Sequence, residues 1–122
     1  MLKWAMPMTV RLSKALRVLP ALAYMGLIFY VSSLSFLPAP ISFNGVDKVE
    51  HLGEYGVLDG LLMVGGFNPL AAAVVSSVYG ASDEFHQSFV PNRDCSFWDW
   101  TADTTGAALV SLMWIAWKKR RS

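Results

Sequence analysis

The sequence predicts an all-α protein, namely a bundle of four transmembrane helices with both termini in the cytoplasm. Hydrophobic residues make up 54% of the 122 residues and aromatic residues 13%, more than an ordinary soluble domain carries. Residues 18–46 and 60–82 are uncharged stretches of 29 and 23 residues, and about 20 apolar residues suffice to cross a bilayer as a helix. All nine acidic residues lie within residues 47–103, whereas eight of the ten Lys and Arg lie outside that window.

A chain of this length is expected to form one transmembrane domain, residues 1–122, with its motif-bearing core at about 15–117. The first span is predicted at about residues 15–35 and is followed by a loop that contains Pro38 and Pro40. A cleaved signal peptide is the alternative for this region, since a basic start precedes the apolar run. The run is longer than that of a usual signal peptide, which favours a retained span.

The second and third spans are predicted at about residues 47–66 and 69–89, joined by a very tight turn. Gly65 and Gly66 can end one helix, and Asn68 followed by Pro69 can start the next. The fourth span is predicted at about residues 97–117. Ser96, with an acidic residue three positions on, is a typical helix start.

Orientation follows from the basic residues, which concentrate before the first span and after the fourth. The internal loops hold only Arg93, so both termini are expected in the cytoplasm and the protein in the cytoplasmic membrane as a multi-pass protein. The start of span two, the end of span three and the start of span four then meet at the outer face. Membrane lipids are the expected partners and nucleic acid is not, because the basic ends suit topology and anionic lipids. The oligomeric state stays open.

Polar residues of three spans converge on that outer face. On span two, one face of the helix carries Asp47, Glu50, His51, Glu54, Tyr55 and Asp59. On span three, Asp83, His86 and Gln87 share a face, while Glu84 is expected to point away, toward the lipid headgroups. On span four, Asp99 and Asp103 are one turn apart, above a thin surface at residues 106–108. We therefore expect a shallow outward-facing pocket lined by carboxylates and two imidazoles.

The order and spacing of these residues resemble the VanZ-like family of small bacterial membrane proteins, over most of residues 47–110. The resemblance implies a four-helix integral membrane protein, and the name-giving member is associated with resistance to the glycopeptide teicoplanin. Asp103 stands where we expect Asn to be common in the family, and Glu54 and Asp59 are additions to its pattern. The residues that match the pattern are Asp47, Lys48, His51, Tyr55, Asp83, Glu84, His86, Gln87, Pro91, Arg93, Asp99 and Asp103.

Two interpretations of the polar residues stay open. In the structural one they hold the bundle together, with Arg93 paired to Asp99 or Asp83 and with local capping roles for several acids. In the functional one the excess of carboxylates serves a site, because two cations and two histidines within residues 47–103 do not neutralise nine acids. The candidate catalytic residues are His51, Asp83, His86 and Asp103. The candidate binding residues are Asp47, Lys48, Tyr55, Glu84, Gln87, Arg93 and Asp99.

A divalent cation is the cofactor that such a pocket would accept, with Asp83, His86 and Asp99 as the expected ligands and His51 as a further one. The alternatives are shared protons on the carboxylates and histidines, which would suit acid/base chemistry or proton transfer, and exposure of the carboxylates to water. Whether the protein is an enzyme stays open. We expect it to bind or act on a cell-envelope lipid or glycopeptide-type ligand, with a link to teicoplanin-type resistance. The alternative is a structural bundle, or an ion- or proton-handling protein without enzymatic activity.

Overall fold

A computed structural model describes residues 15–34, 46–91 and 96–121, and its regular structure there is entirely α-helical. Four helices follow one another: α1 (Leu19–Ser32), α2 (Val46–Val64), α3 (Pro69–Gln87) and α4 (Phe97–Arg121). The prediction of an all-α protein with four main helices is thus confirmed for the described residues. Within the described residues, none of these helices combines the length and the apolar character that crossing a membrane would require.

The turn between α2 and α3 has the geometry that its glycines predict. The amide of Phe67 donates to the carbonyl of Leu62, and the amide of Gly66 donates to the carbonyl of Met63, both at 3.0 Å. This pair of bonds is a Schellman motif, which satisfies the last carbonyls of α2. Gly66 has φ +110°, a left-handed conformation that glycine adopts without steric cost. Helix α2 therefore ends at Val64, two residues before the predicted end of its span.

The starts of α3 and α4 are each fixed by one polar side chain. Asn68 Oδ1 accepts a hydrogen bond from the amide of Ala71 at 2.8 Å, with Pro69 at the first helical position. Ser96 Oγ accepts from the amides of Trp98 and Asp99 at 3.1 and 3.3 Å. Both helix starts were predicted from these residues, and both are confirmed.

The fourth helix continues beyond its predicted end at residue 117 and reaches Arg121. Its last turn is basic, and positive charge is favourable at the negative end of the helix dipole. The Lys118 ammonium lies 5.7 Å from the centre of the Trp114 ring, and the Arg121 guanidinium 4.8 Å from that of Trp117. These cation–π contacts stabilise the additional helical turn.

Helices α2, α3 and α4 pack closely, and α1 lies against α2 and α3. The Tyr24 hydroxyl of α1 donates to the carbonyl of Glu54 at 3.1 Å, and the Tyr79 hydroxyl of α3 donates to the carbonyl of Met25 at 2.5 Å. The apolar core is small and combines Ala21 and Ile28 of α1 with residues of α2 and α3. It comprises Ala21, Ile28, Tyr55, Leu58, Leu62, Met63 and Ala72.

The buried side chains of the described residues are more often polar than hydrophobic. Among the described residues, ten polar or charged side chains and eight hydrophobic ones are buried, with tyrosine counted as hydrophobic. Many large hydrophobic side chains lie on the outside instead, and they are distributed over all four helices. They include Leu22, Phe29, Tyr30, Leu70, Val78, Phe85, Phe89, Leu112, Met113 and Trp117. Many ionisable side chains of the described residues therefore lie inside the bundle.

Candidate functional site

Three of the polar residues predicted to share one face of α2 point into the bundle, whereas the two glutamates of that face, Glu50 and Glu54, line the side toward α1. His51, Tyr55 and Asp59 recur every four residues and are 9%, 0% and 0% exposed. Lys48 lies one turn closer to the start of the helix and is about half exposed, with its ammonium 2.6 Å from Asp99 Oδ1. The side chain of Asp47 lies outside the described part of the chain.

His51 joins α2 to α4 through two carboxylates. Its Nδ1 lies 2.7 Å from Oδ1 of Asp103, within hydrogen-bond distance, and its Nε2 lies 3.8 Å from Oδ2 of Asp99. Asp103 is fully buried and Asp99 is 5% exposed. The acids one turn apart on α4 thus flank the imidazole, and Lys48 holds the outer one in place.

Helix α3 contributes two neighbouring acids, and both are buried. Asp83 Oδ2 accepts a hydrogen bond from the Tyr55 hydroxyl at 3.3 Å. Glu84 Oε2 accepts one from the backbone amide of Ser96 at 3.0 Å, and Glu84 is only 4% exposed. The prediction that Glu84 points toward the headgroups is therefore wrong. The start of α4 lies over the Glu84 side chain and covers this face of α3. The spacing of residues along α3 does not indicate that another helix covers this face. Gln87 is buried on the same helix, at 6% exposure.

His86 does not join the other polar residues, although it lies only three positions from Asp83. Its ring stacks on Phe29 of α1, with ring centres 4.4 Å apart and an angle of 24° between the planes. Its Nε2 lies 2.9 Å from the hydroxyl oxygen of Ser33, which also belongs to the end of α1. The histidine is half-buried against α1, because α1 covers this face of α3. Ser33 is a contact that the sequence analysis missed.

The structure gathers a different set of possible metal ligands from the predicted one. Ligand atoms of His51, Glu84 and Asp103, one from each of three helices, all lie within 4.8 Å of one another. All three residues are buried. We refer to this set as the His51 cluster. Of the predicted ligands, Asp99 lies at the edge of the cluster, with its Oδ2 3.8 Å from Nε2 of His51. His86 lies against α1 instead.

Two glycines make room for the His51 cluster. A Cβ atom at Gly80 of α3 would lie 3.0 Å from Oδ2 of Asp103 and 3.3 Å from the Tyr55 ring. A Cβ atom at Gly106 of α4 would overlap the backbone carbonyl of Leu52. Such close approach of helix backbones is typical of small residues in membrane helix pairs. These glycines set the distance between the three helices that hold the cluster.

Asp59 forms a separate polar contact two turns farther along α2 from His51. It is fully buried, and the hydroxyl of Ser111 on α4 donates to its Oδ2 at 2.6 Å. The same hydroxyl oxygen lies 3.0 Å from the carbonyl oxygen of Pro69. Asp59 was expected on the polar face of α2, whereas Ser111, which lies eight residues after Asp103 on the same face of α4, was not among the candidate residues.

A groove of about 520 Å³ runs between α1 and α2, beside the face that carries His51. Leu27, Ile28 and Val31 form its wall on α1, together with Tyr24. Glu50, Gly53, Glu54 and Val57 form its wall on α2. The groove is therefore apolar over most of its length and carries two carboxylates on one side.

The geometry supports two kinds of chemistry at the His51 cluster. A histidine that is hydrogen-bonded to a carboxylate can accept and release a proton. The same imidazole nitrogen and carboxylate oxygens are ligands for divalent transition metals. Arg93, a predicted binding residue, lies outside the described residues, and the catalytic and binding roles assigned from the sequence stay predictions.

Comparison with known proteins identifies the family. The sequence model of the VanZ/LLP1 family matches residues 4–118. Neither curated proteins nor solved structures give a match. Because the match covers nearly the whole chain and includes all three helices that form the His51 cluster, the chain belongs to the VanZ/LLP1 family.

Proposed function

We propose that this protein is a multi-pass membrane protein of the cell envelope that binds an amphiphilic envelope molecule in the groove between α1 and α2. The observation that carries this proposal is the composition of the groove. An apolar wall of Leu27, Ile28, Val31 and Val57 suits an acyl chain, and Glu50 and Glu54 suit a positively charged or hydroxylated polar head. Membership of the VanZ/LLP1 family agrees with a membrane location.

The distribution of side chains supports placement in lipid. Soluble monomers rarely expose large contiguous apolar patches, whereas here large hydrophobic side chains such as Leu70, Phe89 and Met113 are exposed. In the bundle interior, polar and ionisable groups such as Asp59 and Asp103 are buried. Ionisable residues of membrane helices usually face the interior of a bundle in this way. Four helices that cross the membrane together would have this arrangement.

The charge on α2 indicates which kind of amphiphilic molecule the groove would bind. Glu50 and Glu54 are one turn apart, and Glu50 is exposed while Glu54 is half-buried. Two neighbouring carboxylates attract an amine and repel a purely anionic head. We therefore propose an amine-bearing lipid as the ligand, with its chain along α1 and its head at these glutamates.

Gly53 offers a way to block the groove without disturbing the helices. It lines the groove, and a Cβ atom at this position would meet nothing within 4 Å. Gly26 of α1 has equally open surroundings and does not line the groove, so it provides a matched control. Trp at residue 53 should fill the groove, whereas Trp at residue 26 should leave it open.

The test compares wild type, Gly53→Trp and Gly26→Trp, purified in detergent, by thermal unfolding with added lipid. Phosphatidylethanolamine should raise the Tm of wild type and of Gly26→Trp but not that of Gly53→Trp. Phosphatidylglycerol with the same acyl chains should raise the Tm of wild type and of Gly26→Trp less than phosphatidylethanolamine does. Equal stabilisation of Gly53→Trp would refute binding in the groove. Stabilisation by a teicoplanin-type glycopeptide alone, lost in Gly53→Trp, would assign the groove to the antibiotic instead of a lipid.

A further inference from the structure

Two carboxylate oxygens of the His51 cluster accept no hydrogen bond from the part of the chain that the structure describes. Among the described residues, Oε1 of Glu84 and Oδ2 of Asp103 are buried and make no hydrogen bond. The two residues are 4% and 0% exposed. A buried carboxylate oxygen without a partner costs free energy, because it has lost its hydration and gained nothing in return. Both atoms belong to residues whose ligand atoms converge with those of His51.

The charge around the cluster is also incompletely balanced. Asp83, Glu84, Asp99 and Asp103 are buried, and the described cations near them are Lys48 and His51. With all four carboxyl groups ionised and the imidazole protonated, four negative charges face two positive ones among the described residues, which leaves an excess of two negative charges. One divalent cation carries the charge that would balance this excess.

We propose that His51, Glu84 and Asp103 bind a divalent transition metal ion of the Zn²⁺ or Mn²⁺ type. One imidazole and two carboxylates match the ligand preferences of these ions, whereas Ca²⁺ and Mg²⁺ favour oxygen ligands throughout. Two ligand atoms of a tetrahedral Zn²⁺ lie about 3.4 Å apart, since each bond is about 2.1 Å. The ligand atoms of the His51 cluster lie within 4.8 Å of one another, so side-chain movements of about 1 Å bring them to this spacing.

The surroundings of His51 support its role as a ligand. Metal-binding histidines usually direct their second ring nitrogen to a carboxylate, which fixes the orientation of the ring. If Nδ1, which lies 2.7 Å from Oδ1 of Asp103, binds the metal, the second nitrogen is Nε2, which lies 3.8 Å from Oδ2 of Asp99. Asp99 is in turn held by Lys48 at 2.6 Å. Asp99 and Lys48 are therefore positioning residues, and three protein ligands leave coordination positions open to water or a bound molecule.

This site differs from the lipid groove, and it does not depend on a ligand in that groove. Gly53, Glu54 and Val57 line the groove, whereas His51 lies on the neighbouring face of α2 and contacts α4. Failure of lipid binding would leave the metal site untouched, and failure of metal binding would leave the groove untouched.

The experiment uses the full chain in detergent after removal of bound metal with a chelator. Zn²⁺ and Mn²⁺ are titrated, with Mg²⁺ and Ca²⁺ for comparison, and both metal content and Tm are measured. Wild type should bind Zn²⁺ or Mn²⁺ stoichiometrically and gain stability. Glu84→Gln should bind at least about tenfold more weakly. Its amide oxygen can still accept from the Ser96 amide, so the metal-free fold should persist.

The second histidine provides a matched control. His86→Gln should bind metal like wild type, because this side chain contacts α1 instead of the cluster. If Glu84→Gln fails to fold, Asp103→Asn provides the same test. The proposal is overturned if metal-free wild type binds none of the four ions. It is also overturned if Glu84→Gln and Asp103→Asn keep wild-type affinity, or if His86→Gln loses it while Glu84→Gln does not.

Discussion

The side of α2 that faces α3 and α4 differs from the side that faces α1 in both polarity and packing. On the first side, His51 and Asp59 are buried, and the backbone at Leu52 approaches α4 so closely that residue 106 has no space for a side chain. On the second side, Gly53 has open space around it, and the helices leave a groove of about 520 Å³. Close packing holds polar groups at fixed distances, whereas the open side leaves room for the acyl chain of the proposed lipid.

The two histidines show the same contrast on a smaller scale. His51 lies between carboxylates of α4, and its removal would take the hydrogen-bond partner from the fully buried Asp103. His86 is half-buried, stacks on Phe29 and shares a hydrogen bond with Ser33. His51 therefore takes part in ionic contacts between helices, whereas His86 contributes to the packing of α1 on α3.

The largest expected effect separates these histidines. His51→Ala should lower the free energy of unfolding by about 3–5 kcal/mol, because the fully buried Asp103 loses its partner. His86→Ala should lower it by about 1–2 kcal/mol, because it removes a partly exposed hydrogen bond and the stacking on Phe29. Denaturant unfolding in detergent, followed by circular dichroism, measures both. Equal losses would remove the distinction between the two sites.

A pair of glycine substitutions tests the difference in packing. Gly106→Ala should destabilise the bundle by about 1–3 kcal/mol, because its Cβ overlaps the carbonyl of Leu52 and forces α4 away from α2. Gly53→Ala should be neutral or stabilising, since its Cβ meets nothing within 4 Å and alanine favours helix. The same unfolding measurement compares them. A Gly106→Ala protein as stable as wild type would show that the two helices are not closely packed.

The smallest effect concerns the attachment of α1. Tyr79→Phe removes the hydroxyl that donates to the carbonyl of Met25, and it should cost about 1 kcal/mol. Tyr30→Phe is the control, because Tyr30 is 63% exposed, and it should leave stability unchanged. Thermal unfolding in detergent suffices for both. If Tyr30→Phe destabilised the protein as much as Tyr79→Phe, the contact between α3 and α1 would have no specific role.

Local signals in the sequence predicted the helix boundaries well. Asn68 and Ser96 bind the first amides of their helices, so a short segment contains all the information that fixes each start. The inward-facing stripe of α2 is likewise a property of one helix, because spacing along the chain determines which side chains share a face. Gly106, predicted to offer a thin surface, also lies at a close contact.

The composition of the His51 cluster could not be predicted in this way. Spacing placed His86 with Asp83 and placed Glu84 elsewhere, but it does not tell which neighbouring helix covers each face of α3. Phe29 and Ser33 of α1 cover His86, and the start of α4 at Ser96 covers Glu84. These contacts join residues 12 to 57 positions apart in the sequence, so they depend on the packing of the whole bundle.

The ionic link between α2 and α4 is tested most directly by a double-mutant cycle on His51 and Asp103. The cycle compares His51→Ala, Asp103→Asn and the double variant by denaturant unfolding in the presence of a chelator. The 2.7 Å contact predicts a coupling energy above about 1 kcal/mol, whereas His86→Ala combined with Asp83→Asn should be additive. Additivity of His51→Ala and Asp103→Asn within about 0.5 kcal/mol would contradict the link and the cluster built on it.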